Sequence, residues 1–117
     1  MSLFDSRAAV PHPAGYRDVA PADVPLPPGE RLLLDVRERD EVTGELGHVP
    51  GATLLPMASV AEQAEGWDRA REILVVCRSG GRSSRVAQAL VRAGFARVMN
   101  LRGGMLAWNE AGLPVER

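Results

Sequence analysis

The segment CRSGGRSS, Cys77 to Ser84, holds the chain's single cysteine beside a glycine pair and between arginines. Glycine adopts φ > 0 without a Cβ penalty, so Gly80 and Gly81 let successive backbone N–H groups turn inward as an anion cradle. Arg78 and Arg82 add full positive charge, and a helix starting behind the loop adds the positive end of its dipole. A thiol there ionises below its free value of about 8.5, since thiolates beside arginine or at helix N-termini fall to roughly 3.5–7.5. The chemistry this predicts is a cysteine nucleophile in a pocket that receives anions. A lone cysteine more often packs as a small buried hydrophobe. The Gly-Gly pair and the flanking arginines argue against that reading here.

Such a loop needs a strand before it and a helix after it. Ile73–Val76 is a continuous apolar run that stops at Cys77, and Leu32–Leu34 is a second that stops at Asp35. Runs without polar alternation suit strands covered on both faces. The helix predicted over Ser83–Ala93 buries Val86 and Leu90, with Ala87 and Val91 beside them, and exposes Arg85, Gln88 and Arg92. Ser83 or Ser84 caps its start, and Gly94 ends it. Further strands are expected at Tyr16–Val19, Ala52–Leu55 and Arg97–Leu101. Further helices are expected at Glu38–Glu45, at Val60–Arg69, and from the Gly103–Gly104 turn through Trp108, stopped by Gly112. Strands alternating with helices imply an α/β fold, a mostly parallel central sheet flanked by helices on both faces. Ligands of such sheets bind outside the strands' carboxyl ends, where Asp35 and Cys77 both fall.

Length and composition narrow the setting. The 117 residues suit one domain, and 45% hydrophobic with 25% charged residues is a globular make-up. No apolar run nears the roughly 18 residues a membrane span needs. The start, MSLFDSRAAVPHP, lacks the cationic-then-apolar pattern of a secretory signal. A net charge of −1 gives no bulk electrostatic case for nucleic acid or a membrane surface. One cysteine excludes an internal disulfide framework and a multi-cysteine metal site, and a cytoplasmic setting is expected. Every basic residue is arginine, a compositional bias that takes on meaning only where arginines cluster at a reactive group. Six of the nine prolines fall at positions 11, 13, 21, 25, 27 and 28, so little regular structure is expected there. Residues 1–14 are read as a flexible segment and 15–117 as a single domain.

Four passages, LLLDVRERDE (32–41), GHVPGATLLPM (47–57), ILVVCRSGGRSS (73–84) and VMNLRGGMLAWNEAGLPV (98–115), resemble the single-domain rhodaneses, a sulfurtransferase family. They run in that family's order, and YRDVAPADV (16–24) resembles its opening strand; the early helix that follows there is replaced here by PLPPGE. The resemblance implies a rhodanese-like fold and a ping-pong transfer of sulfane sulfur. Cys77 takes sulfur from an anionic donor (thiosulfate-like, or a persulfide) and holds it as a persulfide. It then passes the sulfur to a thiophilic acceptor: a thiol, cyanide or a protein. Covalent catalysis of this kind divides one transfer into two easier steps. The resemblance further implies that the loop Arg78, Ser79, Gly80, Gly81, Arg82 and Ser83 binds substrate and stabilises the persulfide through its N–H groups. Arg78 and Arg82 hold the donor's anionic end, and no metal or organic cofactor is required. Cell-cycle phosphatases of similar fold place five residues between Cys and Arg. Here four separate Cys77 from Arg82, a tighter cradle suited in this family to sulfur rather than phosphate. The alternative is a non-catalytic binding or sulfur-carrier module acting with a partner protein.

Asp35 and Arg37 are assigned to support of the loop rather than to chemistry. Imidazole chemistry offers His48 a proton-shuttle role, but a turn histidine more often binds backbone groups; His12, between prolines, is placed in solvent. The two histidines offer no metal-site spacing. Met105 and Trp108 are assigned to the core, whereas Trp67 either covers the sheet or lines the pocket entrance. Glu38, Asp40, Glu41 and Glu45 are read as a solvated acidic face.

Overall fold

The computed structural model describes residues 2–117, built on one sheet of six strands. These are β1 (Val10–Pro11), β2 (Arg17–Val19), β3 (Leu32–Asp35), β4 (Thr53–Leu54), β5 (Ile73–Val76) and β6 (Val98–Leu101), in the spatial order β1-β2-β6-β5-β3-β4. β1 is antiparallel to β2, and the other pairings are parallel. Every residue of β3, β5 and β6 is buried, which is why these runs do not alternate with polar residues.

Four helices cover the sheet: α1 (Arg39–Val42), α2 (Val60–Ala64), α3 (Gly81–Arg92) and α4 (Gly104–Glu110). Successive strand side chains point to opposite faces, so Leu33 and Leu34 serve different cores. On one face Leu34, Ile73 and Val75 meet Val60, Val86 and Leu90 of α2 and α3. On the other, Leu33, Leu74 and Met99 meet Met105 and Trp108 of α4. Trp67 covers the first core, edge-on to Phe95 at 6.2 Å between ring centres. The fold is therefore the expected α/β arrangement, mostly parallel with helices on both faces.

Several segments depart from the pattern read in the sequence, among them α1, which spans Arg39–Val42 rather than Glu38–Glu45. α3 begins at Gly81, ahead of the serines expected to cap it, with Gly80 as its N-cap at φ 105. The glycine permits a left-handed entry that starts the helix inside the cysteine loop. α2 stops at Ala64 instead of running to Arg69. Arg69 folds back and donates Nη1 to the carbonyls of Ala64 and Trp67 at 3.0 and 2.8 Å, closing the helix end.

The opening segment is packed rather than flexible. Leu3, Phe4 and Ala9 are buried in the α4-side core. The Arg17 and Arg97 guanidinium groups lie over the Phe4 ring at 4.1 and 5.2 Å. Glu72 accepts hydrogen bonds from Ser2 Oγ, Phe4 N–H and Arg31 Nε at 2.5, 3.0 and 2.6 Å. Proline limits regular structure in this stretch to the two-residue edge strand β1, but does not prevent burial of its apolar side chains. His12 is likewise held: it stacks on Tyr16 at 4.4 Å, and its Nδ1 accepts the Ala14 N–H at 3.0 Å.

Candidate active site

β3 and β5 are neighbours with Asp35 opposite Val76, so Asp35 and Cys77 end at the same rim of the sheet. Asp35 and Arg37 are each 1% exposed. Arg37 donates Nε to Asp35 Oδ1 at 2.9 Å and Nη2 to Oδ2 at 2.7 Å, and its own backbone N–H reaches Oδ1 at 3.2 Å. The same guanidinium bonds the carbonyls of Glu41 and Gly47 at 3.3 and 2.8 Å. A buried charge needs such compensation on every side. The pair thus ties the end of β3 to the segment carrying α1, and Asp35 orients Arg37 rather than an arginine of the cysteine loop.

Cys77 is buried at 1% exposure, at the base of its loop. The Gly80 N–H donates to its sulfur at 3.1 Å, and Ser83 Oγ lies 3.3 Å away. A helix leaves its first N–H groups without intrahelical partners, and the early start of α3 aims that turn at the sulfur. Burial pushes the thiol pKa up. Hydrogen bonds from the Ser83 hydroxyl and from the N–H groups of Ser83, Gly80 and Ser79 outweigh it and hold the thiol below its ordinary value.

The loop faces its N–H groups inward because its carbonyls are engaged behind. Met105 N–H donates to the Cys77 carbonyl at 2.9 Å and Leu106 N–H to the Arg78 carbonyl at 3.0 Å, both from the first turn of α4. This approach requires Gly104, at φ 57. A Cβ there would overlap the Cys77 carbonyl oxygen and stand 2.6 Å from the Arg78 carbonyl.

The two loop arginines differ. Arg82 Nη1 and Nη2 each lie 2.7 Å from the two carboxylate oxygens of Glu41. This two-point bond holds the Glu41 carboxyl down at about 2 and raises the Arg82 guanidinium. Arg78 is exposed and lines a cleft of 190 Å³ with Arg37, Glu41 and Leu46. Its guanidinium has no hydrogen-bond partner among the described residues. Ser79 and Gly81 are exposed at the loop's outer edge, and Ser83 is fully buried.

Glu41 is therefore no part of a solvated face. It also completes the N-terminal cap of α1, where its Oε1 accepts the Glu38 N–H at 3.0 Å. Asn100 was not singled out in the sequence, although a polar residue inside the apolar run VMNL is a signal. It is 5% exposed, and its Oδ1 lies 2.5 Å from Ser83 Oγ. His48 is structural: Nδ1 contacts the Val42 carbonyl at 3.0 Å, and its backbone pairs with Glu116. Trp67 is not among the residues around the Arg78 cleft.

A lone cysteine at the end of a parallel strand, ringed by N–H groups of its loop and of the first turn of the following helix, defines a cysteine-loop α/β domain. The sequence profile of the Rhodanese-like domain family matches residues 22–111, and the chain belongs to that family. A protein of Allochromatium vinosum named a sulfurtransferase is 38% identical over 84 residues, 72% of this chain and 77% of that one. The thiosulfate sulfurtransferase GlpE of Coxiella burnetii is 39% identical over 77 residues, 66% of this chain and 70% of that one. Among solved structures, a rhodanese-related protein of Thermoplasma volcanium superposes with a TM-score of 0.74 at 27% identity, covering 85% of this chain and 96% of that one.

Proposed function

We propose that the protein is a sulfurtransferase that carries sulfane sulfur on Cys77. The Cys77 thiolate attacks the outer sulfur of a donor such as thiosulfate. A bond forms between Cys77 Sγ and that sulfur as the donor's own S–S bond breaks, sulfite leaves with its electron pair, and a Cys77 persulfide anion remains. A thiolate or cyanide then attacks the terminal sulfur, takes it, and regenerates the Cys77 thiolate. No external oxidant or reductant enters either step. The observation that carries this reading is the ring of N–H groups converging on a buried, acidified sulfur, with Gly80 N–H at 3.1 Å. Donors fixed in place before charge develops stabilise an anion without reorganising. Arg78, exposed and unpartnered, takes the anionic end of the donor. Arg82 contributes its charge to the loop from its bond with Glu41.

The test is the intact mass of the protein before and after thiosulfate, then after cyanide, with Cys77→Ser in parallel. The expected result is a gain of about 32 Da, one sulfur held covalently, that cyanide removes and the serine variant lacks. If neither thiosulfate nor a persulfide donor adds sulfur to Cys77, the reading fails and a binding module replaces it.

A further inference from the structure

Asp18, Asn100 and Ser83 form a hydrogen-bonded chain that ends at the Cys77 sulfur, and the transfer chemistry above makes no use of its far half. Asp18 and Asn100 face each other across the β2–β6 pair, and Asn100 Nδ2 donates to Asp18 Oδ1 at 3.1 Å. Asn100 Oδ1 then meets Ser83 Oγ at 2.5 Å, and Ser83 Oγ stands 3.3 Å from Cys77 Sγ.

The proton inventory of this chain has one consistent solution. A carboxylate only accepts hydrogen bonds, so Asp18 obliges Asn100 to turn its NH₂ group outward. The amide oxygen is what remains for Ser83, and it too only accepts. The Ser83 hydroxyl owns one proton, and the short contact draws it toward Asn100. What Ser83 then presents to the sulfur is a lone pair, which suits a thiol S–H and not a thiolate. When Cys77 ionises, the hydroxyl has to swing its proton to the sulfur. That leaves the Ser83 and Asn100 oxygens 2.5 Å apart with no proton between them.

We propose that Asn100, anchored by Asp18, is a positioning residue that decides which partner receives the single Ser83 hydroxyl proton, the Asn100 amide oxygen or the Cys77 sulfur. Acting through Ser83, it opposes the loop N–H groups and keeps Cys77 from becoming too acidic. The consequence is chemical: a thiolate loses intrinsic nucleophilicity as its pKa falls, so a partial restraint preserves attacking power. The other charges about the cluster are Arg78 of the loop, Arg82 with Glu41, and Asp35 with Arg37. Substitution at position 100 leaves all five in place. The Gly80 carbonyl, 3.2 Å from Ser83 Oγ, is a further acceptor, but a charge-assisted bond to thiolate is the stronger one. The proposal concerns protonation of Cys77 alone, so it stands or falls separately from the transfer reaction.

The test is a double-mutant cycle on the thiolate's ultraviolet absorbance, titrated against pH in the wild type, Asn100→Leu, Ser83→Ala and the double variant. Each curve is corrected with Cys77→Ser. With Ser83 present, Asn100→Leu is expected to raise the thiolate fraction about three- to tenfold at a pH below the midpoint, the effect of releasing one neutral hydrogen bond. In the Ser83→Ala background, the same substitution is expected to change nothing. Asp18→Ala, which frees the amide to turn, supplies a second cycle should the leucine variant not fold: its effect with Ser83 present is expected to exceed its effect in the Ser83→Ala background. Its charge effect persists in the Ser83→Ala background and is thereby subtracted. An unchanged titration with Ser83 present overturns the proposal, as does an equal change in both backgrounds.

Discussion

Glu41 fills the donor fork of Arg82: two N···O distances of 2.7 Å close a planar, two-point ion pair between α1 and the cysteine loop. An arginine so occupied is not open to a second bidentate anion. The pair also joins two segments 41 residues apart in sequence, so it braces the loop while it limits the loop's charge.

Glu41→Gln is expected to weaken the brace and open the fork. Under the proposed activity, the KM for thiosulfate falls several-fold, with a smaller change in kcat. The acid side has a definite sign. A carboxyl lowered from 4.5 to about 2 on folding stabilises the native state above its unfolded value. That contribution is lost as pH falls from about 4.5 toward about 2. Urea midpoints measured across that window are expected to fall less steeply in Glu41→Gln than in the wild type.

Arg78→Ala is expected to raise the KM for thiosulfate about five- to thirtyfold, and more than Arg82→Ala does, because loss of a charge-assisted bond costs about 1–2 kcal/mol. Arg82→Ala instead loosens the loop and shows mainly in thermal stability. Steady-state kinetics and melting curves on the two variants distinguish the roles; equal KM effects would refute the assignment of Arg78.

Asp35→Ala leaves the Arg37 guanidinium buried without its carboxylate. Breaking a buried pair from one side costs about 3–5 kcal/mol, a large share of a small domain's stability. The variant is expected to unfold at much lower urea. Asp35→Asn retains one acceptor and is expected to fall between it and the wild type.

Gly104→Ala forces a Cβ into the carbonyls of Cys77 and Arg78 at a backbone φ of 57. A loss of about 2–4 kcal/mol is expected, from strain and backbone collision together. Iodoacetamide modification of Cys77 is expected to require higher pH than in the wild type, because the displaced carbonyls no longer hold the loop N–H groups inward.

What could be read in advance followed from whether the signal was local. β3 and β5 announce themselves as unbroken apolar runs, and the cysteine loop carries its glycines and arginines within eight residues. Glu41 carries no such mark, and Asn100 only that of a polar residue inside an apolar run. Glu41 looks like one acid among several until the fold brings Arg82 to it, and Asn100 acquires its role from Ser83, 17 residues earlier. Proline content foretold that the opening segment carries little regular structure, but said nothing of how its apolar side chains pack. Phe4 finds partners in Arg17, Glu72 and Arg97, and spacing alone does not foretell partners so far along the chain.

The hydrogen bonds from Met105 and Leu106 to the loop carbonyls divide labour between main chain and side chain. The seat for sulfur is made mostly of peptide groups, which do not titrate, with the Ser83 hydroxyl beside them. The rim is made of arginine and glutamate, each replaceable at modest cost. Preference for one sulfur compound over another can therefore be rewritten at the rim while the seat's grip on a charged sulfur is kept.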